Sequence, residues 1–453
     1  MEQKLPERLT DGSVNSVREL IRMVEELVAD GGLRPGDRLP PVRELATLVG
    51  MSPSSVAAAW RSLNEKGLLR GMGRSGTFVV KQTRPSNNIR WRPHFNPGAE
   101  AIELSTGFPD RNLLPKIQPR HFKGIDDLSA YSYLDNPVLD NLEKALRGIF
   151  EPEFDGFSLT ITDGTLDAID RLLSITIARG DLVAVEDPGF PAIFDLVEAN
   201  QGRILAVETD EHGMTVSSLI SALTMGAKVI ISQPRAQNPT GASRNDQRMR
   251  DIVEAISKYA PQVTVIEDDH SALISGRELN SLAHLLPRQT AYVASFSKSH
   301  GPDLRLAAIF GPAELIDELQ ERRRLGPAWS SRALQRLLAN LLLDDEAVAQ
   351  VEDAKHAYQI RRRSIESLLQ ISGLTENQRG DGLNIWIPVV NERSAILSLA
   401  TNGVIVAPGS DFKLTESIQD HIRMTLCISE EKLETIAPLL VSATSYATAN
   451  WRM

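Results

Sequence analysis

The chain has 453 residues, 42% of them hydrophobic and 24% charged, a formal net charge of -10 and one cysteine, Cys427. This length predicts two or three domains with separate cores, no apolar run approaches the ~20 residues of a membrane span, and one cysteine closes no internal disulfide. The first residues lack the basic stretch and apolar core of a secretory signal, so a cytoplasmic protein is expected. A negative sum excludes a surface that binds polyanions throughout, but the sign changes along the chain. Residues 1–84 hold 13 Lys/Arg against 10 Asp/Glu, leaving 36 against 49 for the remainder.

Val17, Leu20, Ile21, Val24, Leu27 and Val28 follow the spacing of an amphipathic helix that Gly31-Gly32 stops. A second, short helix is expected with Pro41 in its first turn and Val42, Leu45, Ala46 and Val49 on one face. Gly50 makes a turn, Ser52 reads as an N-cap followed by Pro53, and a third helix buries Val56, Trp60 and Leu63 before Gly67. Helix, glycine turn, helix is helix-turn-helix spacing. Residues 70–80 then read as two short strands joined by a glycine-rich, basic tip, the wing of a winged helix-turn-helix.

In such modules the start of the recognition helix meets base edges of double-stranded DNA while cations and amides hold phosphates. Ser52, Ser54 and Ser55 would read or position, and Arg43, Arg70 and Arg74 would neutralise. Residues 39–46, 52–69 and 73–79 closely resemble the GntR winged-helix family. The resemblance implies that Arg43, the start of the third helix and the wing tip at Gly73-Arg74 touch DNA. Pro53 and Ala57 stand where GntR readers often carry arginine or another polar contact. A small dimerisation or docking module is the alternative reading of residues 1–80.

Residues 81–99, rich in Pro, Asn and Arg and without periodicity, read as a linker. Trp91 and Phe95 are unlike a free tether and suggest that part of it packs on the domain expected over residues 100–453. Packing there would couple the head mechanically to the large domain.

Apolar runs at 159–162, 182–186, 204–208, 229–232, 263–268, 291–295 and 306–310 alternate with helical patterns, which predicts an α/β domain with a doubly wound, mostly parallel sheet. Ligands of that architecture sit at the carboxyl ends of strands. There the chain places Lys298 after Ala294-Ser295-Phe296-Ser297; a desolvated lysine amine attacks an aldehyde to form a Schiff base. Ile266-Glu267-Asp268-Asp269-His270 ends another run in carboxylates, and one aspartate there could keep a pyridine nitrogen protonated. Asp163-Gly164-Thr165 opens a helix suited to a phosphate, residues 235–241 offer a side-chain amide to a phenolic oxygen, and Phe190 is an aromatic able to stack on a ring.

In this order the pieces resemble fold-type I enzymes dependent on pyridoxal 5'-phosphate (PLP), from about Leu104 to the C-terminus. The resemblance implies a PLP-dependent transferase-like large domain with an α+β small domain. It assigns Lys298 to the PLP Schiff base, Asp268 to the pyridinium, Asn238 to the ring oxygen and Phe190 to stacking. It assigns the phosphate to Gly164, Thr165, Ser295, Ser297 and Arg305. Tyr133 would reach the phosphate of a neighbouring subunit, which requires a homodimer, plain or domain-swapped; Val138 replaces a glycine usual in its segment. Arg423 matches the arginine that clamps a substrate carboxylate, with a surface strand arginine as the alternative. His270 replaces a tyrosine that commonly contacts the ring oxygen, where an imidazole could also donate, with a histidine that merely fills space as the alternative. No metal is expected.

A GntR head on such a domain is the organisation of MocR-type regulators. Residues 234–241, 268–273, 297–307 and 380–384 look like the PtsJ subgroup, which regulates pyridoxal kinase and vitamin B6 supply. The expectation is a regulator with PLP as cofactor and effector, nucleoid-associated when bound to DNA. Two alternatives stay open: a catalytically active aminotransferase, and a regulator sensing an amino acid held on the cofactor through Arg423. Lys298, Asp268 and Arg423 together leave a residual half-transamination chemically possible.

Overall fold

The computed structural model describes residues 16–29, 32–65, 68–71, 76–80, 90, 101–150, 154–371, 380–416 and 419–445. The chain divides into two compact units, residues 1–88 and 89–453. Gly73 and Arg74 of the wing tip, and Trp91 and Phe95 of the linker, lie outside the described residues.

In the first unit, helix α1 (Val17–Ala29) precedes strand β1 (Arg38–Leu39), α2 (Val42–Leu48), α3 (Pro53–Glu65), β2 (Leu69–Gly71) and β3 (Thr77–Val79). Leu20, Val24 and Leu27 of α1 meet Leu45, Val56, Ala59, Trp60 and Leu63 in one core, as the apolar spacing requires. The wing has a third strand that the sequence reading did not contain: β1 pairs antiparallel with β3, which pairs with β2. Two residues carry no periodicity, so only the pairing reveals that strand. Pro41 sits one position earlier than expected, as the N-cap of α2.

Ser52 caps α3: its Oγ accepts from the Ser55 amide at 3.1 Å and contacts the hydroxyls of Ser54 and Ser55 at 2.7 and 2.8 Å. Ser52→Ala is expected to cost about 1 kcal/mol of helix stability and to speed hydrogen exchange at the Ser55 amide in the full chain; unchanged exchange would overturn the cap assignment.

The second unit begins with β4 (Ile102–Glu103) and α4 (Asp140–Phe150). Strands and helices then alternate: β5 (Ser158–Thr162), α5 (Thr165–Thr176), β6 (Leu182–Asp187), α6 (Pro191–Ala199), β7 (Arg203–Asp210), β8 (Gly213–Met214), α7 (Val216–Thr224) and β9 (Val229–Ser232). They continue through α8 (Asp246–Tyr259), β10 (Thr264–Asp269), β11 (Thr290–Ser295), β12 (Ala307–Gly311) and α9 (Ala313–Arg324). One eight-stranded sheet results, in the order β5-β12-β11-β10-β9-β6-β7-β8. Strands β7, β6, β9, β10 and β11 are parallel; β12 runs antiparallel to both β11 and β5. Apolar clusters cover the sheet, so its central strands are buried almost throughout and read as continuous apolar runs.

After α10 (Arg332–Leu342) and the long α11 (Asp345–Ile371), the small domain adds β13 (Asn384–Val389), α12 (Glu392–Thr401), β14 (Val404–Ile405), β15 (Ala407–Pro408), β16 (Asp420–Thr425) and α13 (Glu430–Ser445). Strands β13 and β15 flank β16 antiparallel, and β4 pairs with β14. Asp187 ties the two domains: it accepts from the Leu414 and Thr415 amides at 2.9 and 3.0 Å and from the Thr415 hydroxyl at 2.6 Å.

One described residue of the expected linker, Arg90, is fastened to α6. Its amide and guanidinium reach Asp195 at 2.8 and 2.6 Å, and its guanidinium reaches Glu198 at 2.6 and 2.9 Å.

Candidate functional site

The sheet's topology explains why the residues singled out in the sequence converge. Strands β5, β6, β9, β10 and β11 share one direction, so their carboxyl ends lie along one edge. The reversed β12 brings its amino end, and Arg305 just before it, to the same edge. Ser295, Ala307 and Thr162 stand in register across β11, β12 and β5. Gly164 consequently meets Arg305: at φ +99° its backbone is in the region that favours glycine, and a Cβ there would lie 2.6 Å from the Arg305 guanidinium. Gly164 is also the N-cap of α5, with Thr165 its first residue, so free amides and a guanidinium form one anion cradle. Ser295 is buried and its Oγ accepts from the Ser297 amide at 3.3 Å.

Three acids end β10, and packing gives them different tasks. Glu267 is consumed by Arg244 at 2.5 Å, the Leu282 amide at 3.0 Å and the Ser281 hydroxyl. Asp269 is consumed by Arg235 at 2.8 Å, the Tyr292 hydroxyl at 2.6 Å and the Ala272 amide at 2.8 Å. Asp268 differs: Oδ2 accepts from Gln233 Nε2 at 2.8 Å, while Oδ1 is buried without a partner. Burial pushes its carboxyl up to about 7 against the Gln233 hydrogen bond, with Asp269 adding to the rise and Lys298 opposing it.

Asn238 is buried, and its Oδ1 also lacks a partner. Its backbone N–H donates to Gln233 Oε1 at 2.7 Å. Gln233 was missed in the sequence, where a glutamine just past a strand carries no signal of its own.

His270 behaves otherwise than expected. Its Nε2 lies 2.8 Å from the Ala236 carbonyl, which can only accept, so the ring proton sits there. Burial first, then Lys298, pushes its pKa down to about 4. A neutral imidazole with its one proton on a backbone carbonyl has none left to give a ring oxygen, so His270 braces the turn at Ala236.

Lys298 Nζ donates to the Gly107 carbonyl at 2.5 Å. Burial, then the Arg423 charge, pulls its pKa down to about 8. Neutral amine at pH 7 thereby rises from well under one in a thousand to roughly one in ten. Arg423 is 1% exposed, which excludes the surface-arginine reading. It donates to Asn384 Oδ1 at 3.3 Å and to the Ser105 carbonyl, lies 4.9 Å from the Phe412 ring centre, and leaves Nε without a partner. Its hydrogen-bond partners are neutral acceptors, and burial pulls its pKa down to about 10 against the pull of Cys427 and Glu103. Such a cation favours an anion. Gly107, also unforeseen, lets the chain pass: a Cβ at its φ of +71° would stand 2.8 Å from Arg423 Nη1.

Phe190 is the N-cap of α6 and packs against Trp386, Ala407 and Phe412. Tyr133 is 88% exposed, its ring edge-on to Trp329 at 5.6 Å. In the head, Arg43, Ser52, Ser54 and Arg70 are exposed and Ser55 is half-buried. No helix among the described residues is long and apolar enough to cross a membrane.

Fold and site define a transferase-like domain of fold type I carrying a winged-helix head. Residues 99–439 match the family described as aminotransferase class I and II, and residues 16–79 match bacterial regulatory proteins of the gntR family. The chain belongs to the MocR-type family, which joins these two parts in one polypeptide. It is 32% identical to the vitamin B6 salvage pathway transcriptional repressor PtsJ of Salmonella typhimurium, over 93% of this chain and 97% of that one. It is 26% identical to the HTH-type transcriptional regulator TauR of Rhodobacter capsulatus, over 89% and 91%. The fold is also that of the Pyrococcus horikoshii kynurenine aminotransferase, with a TM-score of 0.67 at 20% identity over 76% of this chain and 91% of that one.

The aminotransferase class I and II family depends on PLP, and the residues present fit it. The orphaned oxygen of Asp268 suits a pyridinium N–H, the cradle at Gly164 and Arg305 suits a phosphate, and the amine of Lys298 suits an aldehyde.

Proposed function

We propose that the chain is a PLP-binding transcription regulator of vitamin B6 metabolism, with PLP as its effector. The observation that carries this reading is a GntR-type winged-helix head fused to a domain that brings a buried, unpartnered carboxylate oxygen, an anion cradle and a lysine of lowered pKa to one sheet edge. Lys298 would hold PLP covalently, Asp268 would face its ring nitrogen, Asn238 its ring oxygen and Phe190 its face. Gly164, Thr165, Ser295, Ser297 and Arg305 would hold its phosphate. When bound, PLP supplies an aldehyde for amine capture and a ring that withdraws electrons. Phe190 begins α6, and α6 carries the carboxylates that hold Arg90, so occupancy of the ring site can bear on the linker. Exposed Tyr133 and Leu134 suit a homodimer in which Tyr133 reaches the partner's phosphate.

A second reading rests on Arg423, whose burial among neutral acceptors suits a carboxylate, so that an amino acid on the cofactor would be the signal. The experiment is a DNA shift with the regions upstream of this gene and of a pyridoxal kinase gene. PLP alone should change the affinity; a change that needs an amino acid supports the second reading, and none with either sinks effector sensing. Arg43→Ala should weaken binding and lower its salt slope by about 1, and unchanged affinity would favour a docking module.

A further inference from the structure

Gln233 stands between the two groups expected to hold the ring nitrogen and the ring oxygen of the cofactor. It is 3% exposed. Its Nε2 donates to Asp268 Oδ2 at 2.8 Å, and its Oε1 accepts the Asn238 amide at 2.7 Å. Its own amide donates to Glu186 Oε1 at 3.2 Å, which anchors the residue from behind. Both polar ends of one side-chain amide are thus committed.

We propose that Gln233 is a positioning residue for PLP, registering Asp268 and Asn238 against each other so that ring nitrogen and ring oxygen are met together. The inference rests on the PLP reading above. By filling Oδ2, the amide leaves Oδ1 as the oxygen of Asp268 with no partner, the one a ring N–H would meet. By holding the Asn238 amide, it fixes where that side chain starts. Its donated hydrogen bond also favours the ionised form of Asp268 against burial. The other charged or titratable groups acting on Asp268 are Asp269 and Glu186, which oppose its ionisation, and Lys298, which supports it. Glu186 is itself pushed up to about 8 by burial, so near neutrality it is largely uncharged and repels Asp268 little. Without Gln233 the carboxylate would face the ring with less charge and less fixed direction.

The test uses Gln233→Met in the full chain, with PLP as the probe. The methionine has similar length and no amide. PLP affinity is expected to fall tenfold or more, which is about 1.4 kcal/mol. The pH midpoint of the colour change of bound PLP is expected to move upward, because a ring no longer held protonated repels a further proton less. In an Asp268→Asn background the same substitution should cost less than in the wild type, since the part of its effect that acts through the Asp268 carboxylate is already lost. Wild-type affinity and midpoint in the variant, or full additivity with Asp268→Asn, would overturn the proposal. Should the methionine variant not fold, Gln233→Glu keeps the volume and the acceptor for the Asn238 amide, and an unmoved midpoint there overturns it equally. A wild-type chain that develops no PLP colour would instead defeat the PLP reading itself.

Discussion

Lys298→Ala is expected to abolish covalent retention of PLP: the bound cofactor's visible colour should be lost, and borohydride treatment should no longer fix a PLP mass increment on the chain. The reason lies in how the amine is held. Burial and the nearby Arg423 charge bring its pKa to about 8, and its hydrogen bond to the Gly107 carbonyl fixes its direction. An amine that is almost wholly protonated at pH 7 competes poorly for an aldehyde. The head has its own apolar core, so binding of DNA without PLP should persist in the variant. A borohydride-fixed increment that survives the substitution would move the attachment to another lysine.

Asp268→Asn should act in opposite directions on the empty and the loaded protein. The Asp268 carboxyl is raised to about 7 from an ordinary value near 3.8, with burial the leading cause. A folded pKa above the unfolded one means that stability is fully present below about pH 4 and falls as pH rises through 7. Glu186, raised to about 8 by burial, adds a similar fall from about pH 4.5 upward. Asparagine cannot ionise and still accepts from Gln233, so above pH 7 the cofactor-free variant should be more stable than wild type, by up to about 4 kcal/mol. PLP affinity should meanwhile drop by ten- to a hundredfold, because a charge-assisted hydrogen bond of about 1.5 to 3 kcal/mol is lost. Thermal unfolding without PLP at pH 5 and pH 8.5, together with PLP titration, reads both effects. A variant less stable than wild type at pH 8.5 would contradict the burial account.

The contrast among Glu267, Asp268 and Asp269 illustrates where sequence reasoning stops. Resemblance alone had chosen Asp268. Nothing local distinguishes three consecutive acids; the distinction arises because Arg244 and Arg235, distant in sequence, neutralise the outer two. His270 teaches the same lesson. Its type suggested a donor to the ring oxygen, but the partner that takes its proton is the Ala236 carbonyl, on a turn whose path depends on the whole fold.

By itself the sequence determined the head's three helices, seven of the eight strands of the large sheet, all but the two-residue β8, and the lysine just past the end of β11. Those features follow from local periodicity, capping and strand-end placement, and each is written within a few adjacent residues. Only the tertiary structure decided which oxygen of which acid lacks a partner, that Arg423 is buried, that Gly107 lies against it, and that Gln233 joins Asp268 to Asn238. Those depend on desolvation and on contacts between distant segments, which chain order does not encode.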